Sequence, residues 1–212
     1  HLPQTERHFQ AVLAGIKYFG LWYGRYPYQT ITVVDPAFGA GSAGGMEYPT
    51  LITVGTSWLL NHPPFHKIRL PELTAIHEFG HQYWYALVGN NEFEEAWLDE
   101  GINSYSTGKI MDAVYGKDSA LLEFLGFKLG ETDAIRMQNG PYAKYDTIRK
   151  PSWTYLSDYG FYSYTKPEIV LRTLENKILD ERTMVRILRT YAERFRFRHP
   201  TSEDFYRIAD EV

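Results

Sequence analysis

The chain has 212 residues, a length that suits one substantial domain, and 44% of it is apolar, enough to fill a core without extra staples. A net charge of −4 leaves no basic footprint for nucleic acid, and the lack of cysteine excludes disulfides, thiolate metal sites and a cysteine nucleophile. No apolar run approaches the ~18 residues that a membrane span needs, so no membrane contact is expected of this segment.

His1 opens the chain in place of Met, without a signal peptide, so a trimmed segment of a longer protein is expected. The first element is an amphipathic helix from about Thr5, its N-cap, to Tyr23, with apolar positions at Phe9, Val12, Leu13, Ile16 and Phe19. Thr30–Val34 is a β-branched strand ended by Asp35-Pro36. A glycine-rich stretch, Phe38–Gly45, leads to an extended segment, Met46–Val54, which Pro49 assigns to a sheet edge. Pro71 suits the first turn of a long helix reaching about Val88, with Gly89 as its stop. A second helix is expected over Glu95–Val114, ended by Gly116. Gly130–Tyr159 is rich in polar residues, glycine and proline and is the least readable part; helical patterns return at Pro167–Ile178, Glu181–Phe195 and Ser202–Val212. Strands first and helices after them predict an α+β fold. We expect one domain over residues 1–212, with the sheet region and first metal helix in 1–89 and a helical lobe in 90–212.

His77-Glu78-Phe79-Gly80-His81 falls on the predicted long helix. Histidines at i and i+4 share one face, so both imidazoles can reach a single zinc ion. Glu78 is rotated away from them and can meet a water beside the ion as general base. A catalytic zinc needs a third ligand, and Glu100 fits, with eighteen residues between it and His81 that can turn the chain back. Glu92, Glu94 and Glu95 also lie nearby but read as a solvated acidic loop with helix-start charges. As a structural alternative, the two histidines are ordinary helix residues and Glu78 a surface charge.

The His77-Glu-x-x-His81 pair followed by Glu100 resembles the gluzincin zinc peptidases, and more narrowly the membrane alanyl aminopeptidase family, of the aminopeptidase N type. Trp97-Leu98-Asp99-Glu100-Gly101 resembles that family's Trp-Leu-Asn-Glu-Gly, and Gly44-Gly45-Met46-Glu47-Tyr48-Pro49 its Gly-x-Met-Glu-Asn-Pro segment. Tyr164-Thr165-Lys166-Pro167 is similar to its Tyr-Glu-Lys-Gly. The resemblance implies a thermolysin-like catalytic domain, with a small mixed sheet bordering a cleft, a mainly helical lobe and one Zn2+ cofactor. It also implies that Glu47 binds the substrate's α-amino group, that Gly44, Gly45 and Met46 flank the substrate backbone, and that Tyr164 donates to the oxyanion. Tyr159 and Tyr162 stand as substitutes for Tyr164, and Glu47 read alone is an edge-strand surface charge. Tyr48 and Asp99 both stand where the family usually has Asn, and Gln82-Tyr83-Trp84-Tyr85 departs from its Gln-Trp-Phe-Gly. The implied function is release of N-terminal residues from peptides. An endopeptidase, an epoxide hydrolase of the same family and a non-catalytic zinc-stabilised peptide-binding scaffold are the rivals. The family's usual setting favours a cell-envelope or secreted parent; side-chain preference and oligomeric state are not legible.

Overall fold

The computed structural model describes residues 2–37, 39–40, 43–142, 146–155 and 158–212, with backbone alone at 2–3 and 138–142. Helix α1 (Leu2–Tyr23) begins ahead of Thr5, which is therefore not its cap. Its buried stripe runs through His8, Ala11, Val12, Phe19 and Tyr23, while Phe9 and Leu13 face solvent. An apolar count at helical spacing thus found the helix but misplaced part of its buried face. Arg7 fixes α1 to the start of α2 (Leu70–Gly80): its guanidinium forks onto both carboxylate oxygens of Glu72 at 2.7 Å. Farther along, the Phe19 and Phe79 rings meet edge-on at 5.9 Å.

Three short strands, β1 (Thr32–Val34), β2 (Gly45–Met46) and β3 (Leu51–Val54), form a mixed sheet in the order β1-β3-β2. Strand β3 pairs parallel to β1 and antiparallel to β2. The expected single edge segment Met46–Val54 is therefore two strands, and only β2 lies at an edge. The chain reverses at residues 47–50, with Thr50 at φ 61°, and Pro49 sits in that turn, where it owes no ladder hydrogen bond. Ile52 and Val54 of β3 are fully buried toward α2. Of the glycine-rich stretch Phe38–Gly45, Phe38, Gly41 and Ser42 lie outside the described residues.

Helix α2 ends at Gly80, well short of the expected Val88. Beyond it the chain keeps turning on irregular bonds: Tyr83 N–H donates to the Gly80 carbonyl, Ala86 N–H to His81 and Val88 N–H to Tyr83, each at 2.9 Å. Residues 81–84 are all buried in these turns, so the chain stays inside the fold after the regular helix has ended. The predicted helix Glu95–Val114 also divides, into a short α3 (Glu92–Glu95), a 3-10 turn over Ala96–Leu98 and α4 (Glu100–Tyr115). Helix α4 is buried from Glu100 to Met111 and runs through the centre of the fold, ending at Gly116 as expected.

A hairpin missed by sequence reading follows, β4 (Leu122–Phe124) and β5 (Phe127–Leu129). Its turn holds Leu125 and Gly126 at φ 49° and 81°, and a leucine in that place carries no turn signal. Helix α5 (Glu131–Tyr142) occupies part of the stretch in which no element is legible from sequence; residues 143–145 and 156–157 of that stretch lie outside the described residues. Helix α6 (Lys166–Thr173) is flanked by wider π-helical turns at Phe161–Thr165 and Leu174–Ile178. Helices α7 (Glu181–Arg194) and α8 (Ser202–Glu211) follow the predicted spans closely and close the lobe. Among the described residues no helix is long and apolar enough to cross a membrane. The architecture is the α+β arrangement expected: a small mixed sheet on one side of α2 and helices on the other.

Candidate active site

Helix α2 presents His77 and His81 one turn apart, and the first residue of α4 brings Glu100 against them. His77 Nε2 and His81 Nε2 lie 3.1 Å apart, and Glu100 Oε2 lies 3.1 Å from each. This equilateral triangle fits zinc: bonds of ~2.0–2.1 Å in tetrahedral geometry separate the donors by about 3.3 Å and leave a fourth position open. The donor set, two imidazoles and one carboxylate, is also zinc chemistry. His81 is held from behind by Asp99, whose carboxylate lies 2.6 Å from Nδ1 in a fully buried contact. The α4 residue Asn103 donates to the His77 carbonyl at 2.7 Å, locking the two helices together at the site.

Glu78 is buried and lies on the sheet side of the histidines. A Cβ on Gly45 would stand 1.9 Å from Glu78 Oε1, so Gly45 is what gives this carboxylate its place. Glu47, next after the edge strand β2, is half-buried, and its carboxylate, that of Glu78 and a His81 nitrogen all fall within 4.8 Å of one another. Gln82 holds the backbone beside Glu47. Its side chain accepts from Thr50 N–H at 2.8 Å and donates to the Tyr48 carbonyl at 3.1 Å, clamping the turn that follows Glu47. Gly44 offers its carbonyl to the Thr53 hydroxyl at 2.7 Å, and Met46 is partly exposed beside it.

The three tyrosines separate clearly. Tyr164 stacks on His77, ring centroids 5.7 Å apart, and its hydroxyl donates to Glu100 Oε1 at 2.5 Å, the oxygen not facing the imidazoles. Tyr159 lies one ring farther out, and its hydroxyl donates to Glu92 Oε1 at 3.4 Å. Tyr162 is fully buried and stacked on Tyr155, so it has no face on the cleft. The π-helical turn over Phe161–Thr165 inserts extra backbone just where Tyr164 is aimed.

A family model for the peptidase family M1 domain matches residues 7–212. The chain belongs to peptidase family M1. The M1 domain is 26% identical to aminopeptidase B of Rattus norvegicus over 194 residues, which cover 90% of this chain and 28% of that protein. It is 27% identical to glutamyl aminopeptidase of Bos taurus over 205 residues, 92% of this chain and 20% of that protein. The chain therefore spans less than a third of these relatives. Among solved structures it superposes on the M1 zinc metallopeptidase from Deinococcus radiodurans with a TM-score of 0.67 at 15% identity, covering 95% of this chain and 40% of that one. Yeast LTA4 hydrolase in complex with bestatin gives 0.69 at 18% identity, covering 94% and 31%. At these identities the structures establish the thermolysin-like fold. The family likeness read from the sequence motifs holds, and with it zinc as the cofactor the family implies.

Electrostatics of the M1 domain sharpen the site. Burial pushes the Glu78 carboxyl above its ordinary value, against the pull of His77 and His81, which suits a group that must take up a proton. Burial acts the same way on Glu100, but the two imidazoles override it and hold the carboxyl well below the usual range. Two parts of the acidic loop differ from expectation. Glu92 is half-buried beside Tyr159, its carboxyl raised by burial and then by Glu100 and Glu47, so it faces the cleft. Glu95 accepts from Ser202 N–H at 3.0 Å, at the start of α8. Only Glu94 is a solvated charge. Sequence reading missed the positioning work of Gln82 and Asn103; both are fully buried amides, a signal that needs burial to be seen.

Proposed function

We propose that the M1 domain is the catalytic unit of a zinc aminopeptidase, releasing N-terminal residues from peptides with one ion held by His77, His81 and Glu100. The observation that carries this reading is the closeness of Glu47 to Glu78 and His81, all within 4.8 Å. A carboxylate at that range, just after an edge strand, can pair with a substrate ammonium, and one residue of extended chain covers only ~3.5 Å. Anchor and base are thus about one residue apart, which makes cleavage count from the N-terminus.

When bound, zinc supplies Lewis-acid polarisation of the scissile carbonyl and of a nearby water. Glu78 takes the proton of the attacking water and passes it to the departing amine. Tyr164 exchanges its hydrogen bond to Glu100 for the oxygen on which charge develops, as a neutral phenol can. Glu47 holds the α-ammonium while β2 and Gly44 to Met46 border the substrate backbone. Asp99 and Gln82 are positioning residues, one for His81 and one for the Glu47 turn. Residues 1–89 carry the sheet and first zinc helix in this reading, and 90–212 the helical lobe.

The test compares free-amine and N-acetylated peptides on the wild-type and Glu78→Gln proteins, with zinc content measured on both. Wild type should cleave only the free-amine peptide, and the variant should keep its zinc and lose turnover. Equal cleavage of the acetylated peptide removes Glu47 from its role, and full activity in the variant removes Glu78 from its own.

A further inference from the structure

Beside His77 lies an open cavity of about 320 Å3, most of whose wall the proposed chemistry does not use. Among the described residues its walls come from α2, α4, α5 and α6, including His77, Glu78 and Tyr164, and not from Glu47 or His81. Glu78 is common to both places: it lines the cavity and lies within 4.8 Å of Glu47. A peptide held at Glu47 by its ammonium runs past Glu78 toward His77 and brings its second side chain to this cavity.

The cavity has two kinds of wall. Leu73 and Ile135 supply apolar surface, while Thr107, Glu131 and Glu168 are polar. Thr107 is 2% exposed, and its hydroxyl has no hydrogen-bond partner among the described residues. Such a group is costly to bury and calls for a ligand atom. Behind it, Glu131 and Glu168 converge with Asp112 on a single buried cation: Arg172 donates to Glu168 at 2.8 Å, to Asp112 at 3.0 Å and to Glu131 at 3.2 Å. The cluster is pressed against α4, since a Cβ on Gly108 would meet Glu168 Oε1 at 2.5 Å and Glu131 Oε2 at 2.7 Å. Three buried carboxyl groups share one guanidinium, so the wall takes up further positive charge, as a proton or as a cation. A methylene stem along the apolar surface and a cationic tip at the polar end would complete it.

We infer that this cavity receives the side chain of the residue following the scissile bond, and that Thr107, Glu131 and Glu168 make it select a basic one. The inference rests on the aminopeptidase reading for the direction of the peptide, while the acidic wall is a property of the cavity itself.

The experiment uses the full chain loaded with zinc and two peptides, Ala-Lys-Ala and its uncharged analogue with norleucine in the second place. Dissociation constants are measured by calorimetry on the inactive Glu78→Gln protein, and kcat/KM on wild type. The lysine peptide should be favoured about tenfold or more on both readouts. Thr107→Val and Glu131→Gln, each introduced separately, should bring that ratio toward one by weakening the lysine peptide more than the norleucine peptide. Equal handling of the two peptides by wild type, or a ratio untouched by both substitutions, overturns the inference. Cleavage of both peptides without preference would leave the aminopeptidase reading standing and remove this one. Preferential binding of the lysine peptide without any cleavage would do the reverse.

Discussion

At the scale of single residues the site depends on fits tighter than any motif records. Gly45 belongs to a segment whose likeness suggested room for the substrate backbone, yet its missing side chain is what admits the Glu78 carboxylate. Gly45→Ala should therefore act on the base and not on the metal. With the added carbon 1.9 Å from Oε1, Glu78 must swing away, and displacement of about 1 Å costs on the order of a hundredfold in rate. Zinc content should stay at the wild-type level while kcat falls, and an undiminished kcat would refute this role. The three proposed metal ligands and Glu78 could be picked out in the sequence because their chemistry fixes residue type and spacing, and Tyr164 because its segment resembles the family's. Gln82, Asn103 and the inward turn of Glu92 could not, because each acts through a contact made by a distant element.

At the scale of elements, helix ends decide where site residues point. The start of α4 at Glu100, after the break at Asp99, aims one carboxylate at α2 and leaves the other to hold His81 from behind. Helix α8 shows the same dependence on caps away from the site. Thr201 and Asp204 form a reciprocal capping box there, and Glu95 accepts from the next backbone N–H. Thr201→Ala should cost about 1 kcal/mol, which for a chain of this size lowers Tm by roughly 2–4 °C. Differential scanning calorimetry reads the shift; no change would mean that Glu95 alone caps the helix. Helices α7 and α8 were legible because their apolar stripes and caps are local. The hairpin β4–β5 was not, since its turn begins with leucine, and α2 was overextended because nothing local marks where its buried face widens.

At the scale of the whole molecule, α4, α5 and α6 are joined by the buried Arg172 cluster. Burial, and then the neighbouring Glu131, pushes the Glu168 carboxyl well above its ordinary value, while Arg172 pulls it down. Burial also raises Asp112 and Glu131. Because the folded state holds these protons more tightly than the unfolded chain, stability is greatest at low pH for this cluster. It declines as pH rises from the ordinary carboxylate range toward the raised folded values. Glu168→Gln removes one such proton, so urea midpoints measured from about pH 5 to pH 8 should vary less in the variant than in wild type. A steeper dependence in the variant would contradict the assignment.

The sequence by itself pointed to the proposed ligand set and base and determined the α+β order of elements and the closing helices, because each follows from spacing or from side-chain chemistry within a few turns of chain. The tertiary structure alone decided that β3 is central, that Tyr162 is buried away from the cleft, and that an acidic wall lies beside His77. Those outcomes depend on which distant segments share a surface, and periodicity along the chain says nothing about which partner a buried face will meet.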